Sequence, residues 1–206
     1  GIVVCPIDGT DRELLMEKLA ATTEYAKQLG ANQIQYYAKE LNQQNLKKIQ
    51  LEADLRKALA NNEFEIHYQP KIELKTQTLA GMEALLRWNH PEHGMISPAT
   101  FIPLAEELEL IVPIGRWILE RACAQTALWG KQSGQPLKLS VNVSPLQLLR
   151  EDFYATVKKA LENSALPGDQ LILEITESMV QEKSDDAVDL LTQIQSLGPS
   201  FAIDDF

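Results

Sequence analysis

Cysteine is nearly missing from this chain, which holds only Cys5 and Cys123, far apart and in apolar surroundings. Two such thiols build no disulfide framework and fit a reducing compartment, the cytoplasm. Positive charge is scarce too: 19 Lys and Arg stand against 29 Asp and Glu, a net charge of −10. A surface that coats DNA or RNA needs a basic stripe, so neither polymer is expected as a partner. An anionic ligand would have to be held locally, by metal ions, an arginine or helix N-termini. Long apolar runs are absent as well. No 18 consecutive apolar residues occur and no signal peptide opens the chain, so the segment reads as soluble, with any membrane anchor outside it. An initial methionine is lacking, and strand-like runs stand at both ends, "GIVV" and "FAIDDF". The chain reads as an excerpt of a longer protein.

What is present is an ordinary globular composition, 45% hydrophobic, sufficient for a core. Gly1–Cys5 reads as a strand, "PIDGTD" (6–11) as a turn around Asp-Gly, and Glu13–Leu29 as a helix closed by Gly30. "NQIQYY" (32–37) reads as a short closing strand. Residues 38–60 are polar and rich in Gln and Lys, with scattered leucines. They read as a connecting helix, and both an ordinary surface helix and a signalling coiled coil stay open for it.

From Asn61 the pattern changes. "FEIHYQPKIEL" and "LAGMEALLRW" read as two strands; "SPATFIPLAEEL" and "VPIGRWILERACAQTALWG" read as helices, the first opened by Ser-Pro. "LKLSVNVS", "QLILEIT" and "SFAIDDF" are further strands, separated by the helical stretches "EDFYATVKKALENSAL" and "SDDAVDLLTQIQSLG". Strand and helix alternate, which argues an α/β fold with a parallel sheet and right-handed crossovers.

Strand parity then sorts the polar residues. In "LSVNVS", Leu139, Val141 and Val143 share one face and Asn142 lies on the other with Ser140 and Ser144. In "LILEIT", Glu174 opposes Leu171, Leu173 and Ile175; in "FAIDDF", Asp204 opposes Phe201 and Ile203; in "MEALLRW", Glu83 and Arg87 oppose Met82, Ala84 and Leu86. Each strand thus carries an oxygen ligand late in its length, directed away from the helix-packing face. In a barrel of parallel strands such ends converge at the C-terminal mouth, where βα barrels place their chemistry. Three carboxylates and an amide, with no His or Cys among them, suit Mg²⁺, Mn²⁺ or Ca²⁺ better than zinc. Taken singly, each could instead be a salt-bridged strand-end residue. Asp205 has the wrong parity for a regular strand, so the strand is expected to end or bulge there.

These motifs carry a resemblance. "YQP" (68–70), "EALLRW" (83–88), "SVNVS" (140–144), "LEITES" (173–178) and "IDDF" (203–206), with "HPEHGMISPATFIPLAEE" (90–107), resemble in order and spacing the EAL family of cyclic di-GMP phosphodiesterases. The likeness runs from about Leu51 to Phe206. It implies a TIM-like (β/α) barrel of the EAL type, represented here by its N-terminal part over residues 61–206. Residues 1–37 resemble the C-terminal tail of a GGDEF diguanylate cyclase domain, on "PIDGTD" and "YAKQLGAN" (25–32). They depart from that pattern at Ala21, where an aspartate is common, and at Ala31, where an arginine is common.

The EAL resemblance implies hydrolysis of cyclic di-GMP to linear pGpG at two Mg²⁺ or Mn²⁺ ions. Glu83, Asn142, Glu174 and Asp204 would bind the first ion, Asp204 would bridge to the second, and Asp205 would contribute there. Glu83, Asp204 and Asp205 are the expected catalytic residues; Gln69 and Arg87 would contact the dinucleotide, Arg87 at a phosphate that suits its planar fork. Partners so implied are cyclic di-GMP, a second copy of the chain in a homodimer, and upstream sensory or GGDEF domains. The family's later lysine, its glutamate general base, a ligand-contacting glutamine and the loop after "DDF" are not among these residues. A catalytically inactive EAL module that acts as a cyclic di-GMP receptor is therefore the alternative, and an unrelated oxygen-metal barrel a third.

The remaining polar residues read as structural. His67 shares parity with Gln69 but is assigned a peripheral role, and His90 and His93 flank a turn without the further ligands zinc needs. Trp88, Trp117, Trp129 and Cys123 read as packing residues.

Overall fold

The structure, a computed structural model, describes residues 1–30, 32–37, 39–148, 152–176 and 185–204; for 39–46, 185–187 and 204 it describes the backbone alone. Two compact units divide at Asp54/Leu55.

The first unit is built on helix α1, Arg12–Gln28. Asp11 caps it: its carboxylate accepts from the Leu14 amide at 2.9 Å, satisfying one of the free N–H groups of the first turn. Lys18 bridges the unit, donating to the Asp8 carbonyl and lying 4.7 Å over the Tyr37 ring. The two strands expected at 1–5 and 32–37 reduce to a single parallel bridge between Ile2 and Tyr36. Among the described residues no third strand extends that pairing, and so short a ladder cannot grow alone. Helix α2, Lys39–Ala58, follows, and its last residues belong to the second unit, where Leu55 and Ala58 are fully buried.

The second unit opens with strands β1 (Phe64–Glu73), β2 (Thr78–His90) and β3 (Gly94–Ile96), then helices α3 (Pro98–Glu107) and α4 (Ile111–Ser133). Strand β4 (Lys138–Asn142), the one-turn helix α5 (Pro145–Leu148) and helix α6 (Phe153–Ser164) come next. Strand β5 (Leu171–Thr176), helix α7 (Asp185–Ser196) and strand β6 (Ser200–Asp204) complete it. The sheet order is β1-β2-β4-β5-β6, with β3 paired to β2. Along β2-β4-β5-β6 all neighbours are parallel and joined through helices, an α/β arrangement with a TIM-like half-barrel topology. β1 departs from the all-parallel expectation: it forms an antiparallel hairpin with β2, because only four residues join them, too few for a crossover. β3 was not anticipated. It is a three-residue return of the His90–Gly94 turn onto β2.

The alternation read from the sequence decides which face is dry. Met82, Ala84 and Leu86 of β2, Leu139 and Val141 of β4, and Leu171, Leu173 and Ile175 of β5 are all buried against the helices. Trp88 is fully enclosed, its indole N–H donating to Glu63 at 3.0 Å. Phe64, Phe101 and Trp88 stand 5.7 to 6.0 Å apart in tilted and edge-on contacts, each worth about 0.5–1.5 kcal/mol beyond area burial. Pro98 opens α3 behind Ser97 as expected, whereas α4 runs past Gly130, where the helical stretch was read to end, and closes at Gly134 with φ 67°. No described helix is long and apolar enough to cross a membrane.

Two close approaches give measurable consequences. A Cβ on Gly81 would lie 2.4 Å from the Lys138 carbonyl oxygen, inside the β2–β4 pairing. Gly81→Ala should therefore lower stability by about 1–3 kcal/mol in urea titration. Cys123 is enclosed in α4, and burial pushes its thiol up to about 12, so it stays protonated near neutrality; Cys5 is exposed. Iodoacetamide at pH 8 should add one label to the native protein, at Cys5, and two after denaturation, as mass spectrometry would read.

Candidate functional site

The sheet registers bring the polar face together step by step. Gln69 of β1 lies opposite Glu83 of β2; Glu83 lies level with Ser140 of β4; Asn142, two residues on, lies level with Glu174 of β5. The Asp204 backbone on β6 lies opposite Thr176, two residues beyond the Glu174–Ala202 pair. The functional positions so climb as the sheet advances, the stagger that closing barrels impose.

Side-chain contacts close the set across strands. The Asn142 amide donates to Glu83 Oε1 at 2.9 Å. Lys71 Nζ donates to Glu174 Oε1 at 2.6 Å and to Ser140 Oγ at 2.8 Å, and stands 3.9 Å from Glu83 Oε2. Lys71 sits on β1 and Glu174 on β5, with β2 and β4 between them in the sheet. Only a sheet curled around this face lets one side chain span that distance. The Glu174 carboxylate is almost fully buried and Glu83 mostly so, with side-chain exposures of 9% and 21%, whereas Lys71 retains 43%.

Of the residues expected to share a site, Glu83, Asn142 and Glu174 are thus brought together. The Asp204 side chain and all of Asp205 lie outside the described residues. Gln69 is exposed at the level of Glu83. Arg87 is on the same face of β2, further along, and its guanidinium donates to the Leu86 carbonyl at 2.8 Å rather than joining the cluster. Lys71 was missed. Its signal was available, because it follows Gln69 by two residues and shares that residue's parity in "YQPKIEL".

Among the described residues no three His, Cys, Asp or Glu side chains form a metal-holding group. Two carboxylates, Glu83 and Glu174, nevertheless meet one positive charge, the Lys71 ammonium, and Asn142 joins them through Glu83; their oxygens are of the hard kind that Mg²⁺ or Mn²⁺ prefer.

The loop leaving β4 is pinned beside the cluster. Ser144 donates to the Glu106 carboxylate of α3, and its amide donates to Gln147 Oε1 at 3.0 Å. Gln147 in turn lies against Gly115 of α4, where an added Cβ would fall 1.7 Å from Nε2. The histidines serve structure: His90 Nδ1 accepts from the Glu92 and His93 amides, and the His90 and His93 rings stack at 4.6 Å. His67 lies 3.5 Å from Glu65, half exposed. A separate cavity of about 570 Å³, lined by Tyr68, Met82, Trp129 and Leu137, lies on the apolar side of the hairpin and has no carboxylate in its walls.

Fold and site together describe a TIM-like α/β protein with an acidic, oxygen-lined centre on the inner face of its sheet. The profile of the family described as "EAL domain" matches residues 52–206. This chain belongs to the EAL domain family. It is 39% identical over all 206 residues to the bifunctional diguanylate cyclase/cyclic di-GMP phosphodiesterase MucR of Pseudomonas aeruginosa, of which it covers 30%. It is 35% identical over 206 residues to the cyclic di-GMP phosphodiesterase PdeR of Escherichia coli, of which it covers 31%. The structure of a MucR phosphodiesterase in complex with c-di-GMP superposes with a TM-score of 0.73 at 42% identity, over 76% of this chain and 64% of that one. The chain thus spans less than a third of the length of these two curated relatives.

The Gln147 brace can be tested directly. Gly115→Ala should expel Gln147 from its seat and free the Ser144 amide, which native-state hydrogen exchange would detect as lost protection at Ser144 while the β4 amides stay protected.

Proposed function

We propose that this chain carries the N-terminal part of a divalent-cation-dependent phosphodiesterase that hydrolyses cyclic di-GMP to linear pGpG. The observation that carries the reading is the meeting of Glu83 and Glu174, from two strands, at a single positive charge, with Asn142 of a third strand bonded to Glu83. The names of MucR and PdeR and the c-di-GMP-bound MucR structure support it.

In this reading Glu83, Asn142, Glu174 and Asp204 hold one ion, and Asp204 and Asp205 hold a second. What Mg²⁺ or Mn²⁺ supplies when bound is a water of lowered pKa and a positive field for the phosphoryl oxygens. The residues of the chain do the placing. Glu174, buried and fixed at the middle of the parallel strands, sets the depth of the centre, and Glu83 and Asn142 define its rim toward β2 and β4. Gln69 and Arg87, on the same face toward the hairpin, contact the dinucleotide, Arg87 by swinging its fork from the Leu86 carbonyl to a phosphate. The lysine, glutamate base and glutamine that complete the family's site belong to the part of such a barrel that follows these residues.

We further read residues 1–37 as the tail of a GGDEF-like domain, 38–60 as a connecting helix and 61–206 as EAL barrel. The MucR match over the whole chain supports this order. The parent protein is read as a cytoplasmic or cytoplasm-facing signalling protein that pairs as a homodimer and takes its input from upstream domains.

The test uses the full-length protein with cyclic di-GMP and Mn²⁺, separating nucleotides by chromatography. Wild type should release pGpG. Glu83→Ala should lower the rate by at least about a hundredfold with an unchanged circular dichroism spectrum. Undiminished turnover in that variant would remove Glu83 from the centre.

A further inference from the structure

The inference rests on the reading of the site as a divalent-cation centre and concerns what occupies that centre's ligands beforehand. Among the described residues, each group that would serve a cation, Glu83, Asn142 and Glu174, is already engaged within the chain. Glu174 Oε1 accepts from Lys71 Nζ at 2.6 Å, and Glu83 lies between that ammonium, 3.9 Å from Oε2, and the Asn142 amide, 2.9 Å from Oε1. The Asn142 contact is made by the amide nitrogen. Only the amide oxygen can coordinate a cation, so the Asn142 side chain must turn over before it can serve as a ligand.

An ammonium and a divalent cation carry the same sign of charge and seek the same oxygens. At a few ångströms they repel strongly, most of all beside a buried carboxylate. On the one Glu174 carboxylate the two charges therefore compete. We propose that Lys71 is an internal counter-ion: it holds the Glu83–Glu174 pair together in the cation-free protein and is displaced from Glu174 when a divalent cation binds.

The local structure is built for such an exchange. Lys71 stands where the β1–β2 register shifts, between Lys71 and Ile72, and it pairs with Gly81, which puts no side chain beside it. Its side chain is 43% exposed, so the ammonium has water to move into, and its long flexible stem allows the swing. Ser140 Oγ, at 2.8 Å, gives the inward position a neutral anchor that steadies it without adding charge. The cost of the arrangement is cation affinity, because a binding ion must first expel Lys71.

Titration of the full-length protein with Mn²⁺, following free Mn²⁺ by electron paramagnetic resonance, tests this without reference to turnover. Lys71→Met and Lys71→Gln should each bind Mn²⁺ about five- to tenfold more tightly than wild type. Lys71→Arg, which keeps the charge, should stay within about twofold. Without metal, Lys71→Gln should melt below wild type, and Mn²⁺ should raise its Tm more than it raises that of wild type. The Gln and Arg variants carry the test should the Met variant not fold. Equal or weaker Mn²⁺ binding by Lys71→Gln, with wild type binding normally, overturns the counter-ion role alone. Absence of Mn²⁺ binding in wild type and variants alike overturns the cation-centre reading and this inference with it.

Discussion

Two carboxylates brought to one concave protein face repel each other, and they do so more strongly as burial removes the water between them. Glu174 is nearly enclosed and Glu83 is close behind it, so the inner face of this sheet holds its shape only if a positive charge meets them. The Lys71 ammonium does so in the structure, reaching from the first strand to the fifth. That single contact ties the hairpin to the parallel strands across the hollow of the sheet, and the site's geometry depends on it.

Around this polar interior the rest of the unit is conventional packing. Every residue adjacent in sequence to a site residue on β4 and β5 faces outward and is buried beneath helices: Val141 and Val143 flank Asn142, and Leu173 and Ile175 flank Glu174. Asn142 and Glu174 are therefore gripped from behind by a close-packed layer that tolerates little displacement. Glu106, Ser144 and Gln147 fix the loop after β4 through hydrogen bonds instead of apolar contact, and Gly115 leaves the room in which Gln147 sits. Rigidity at strand ends is what a cation centre needs, since ligands held in place lose little freedom on binding.

The charge of the chain bears on the proposed ligand. A chain of net charge −10 would repel the proposed ligand, a cyclic dinucleotide with two phosphates, at long range. Attraction must come from a local inversion of sign at the mouth of the sheet, and cations bound to acidic side chains supply it where a basic surface does not. In the proposed function, the acids that would repel the substrate would be the groups that recruit the ions able to hold it.

Much of the second unit was legible as sequence because two strong periodicities act locally. Alternation in "LSVNVS", "LILEIT" and "MEALLRW" decided which residues meet the helices and which face inward, and the structure places Glu83, Asn142 and Glu174 accordingly. The start of α3 followed from Ser97 and Pro98, whose effects are confined to a turn or so of backbone, whereas α4 ran one turn past its expected end at Gly130 to Gly134. What sequence did not disclose were matters of partnership at a distance. The run "GIVVC" has every local mark of a strand, yet a strand exists only where another backbone supplies its hydrogen bonds, and here Ile2 finds one bridge. β1 carries the same alternation whether its neighbour is parallel or antiparallel, and the four-residue link decided that. Lys71 looked like one of several charged residues near a strand end. Its meeting with Glu174, 103 residues on, arises from the curl of the sheet. Side-chain parity is written in the chain because the pleat repeats every two residues. Which charges touch across a curved surface is not, because curvature belongs to all the strands together.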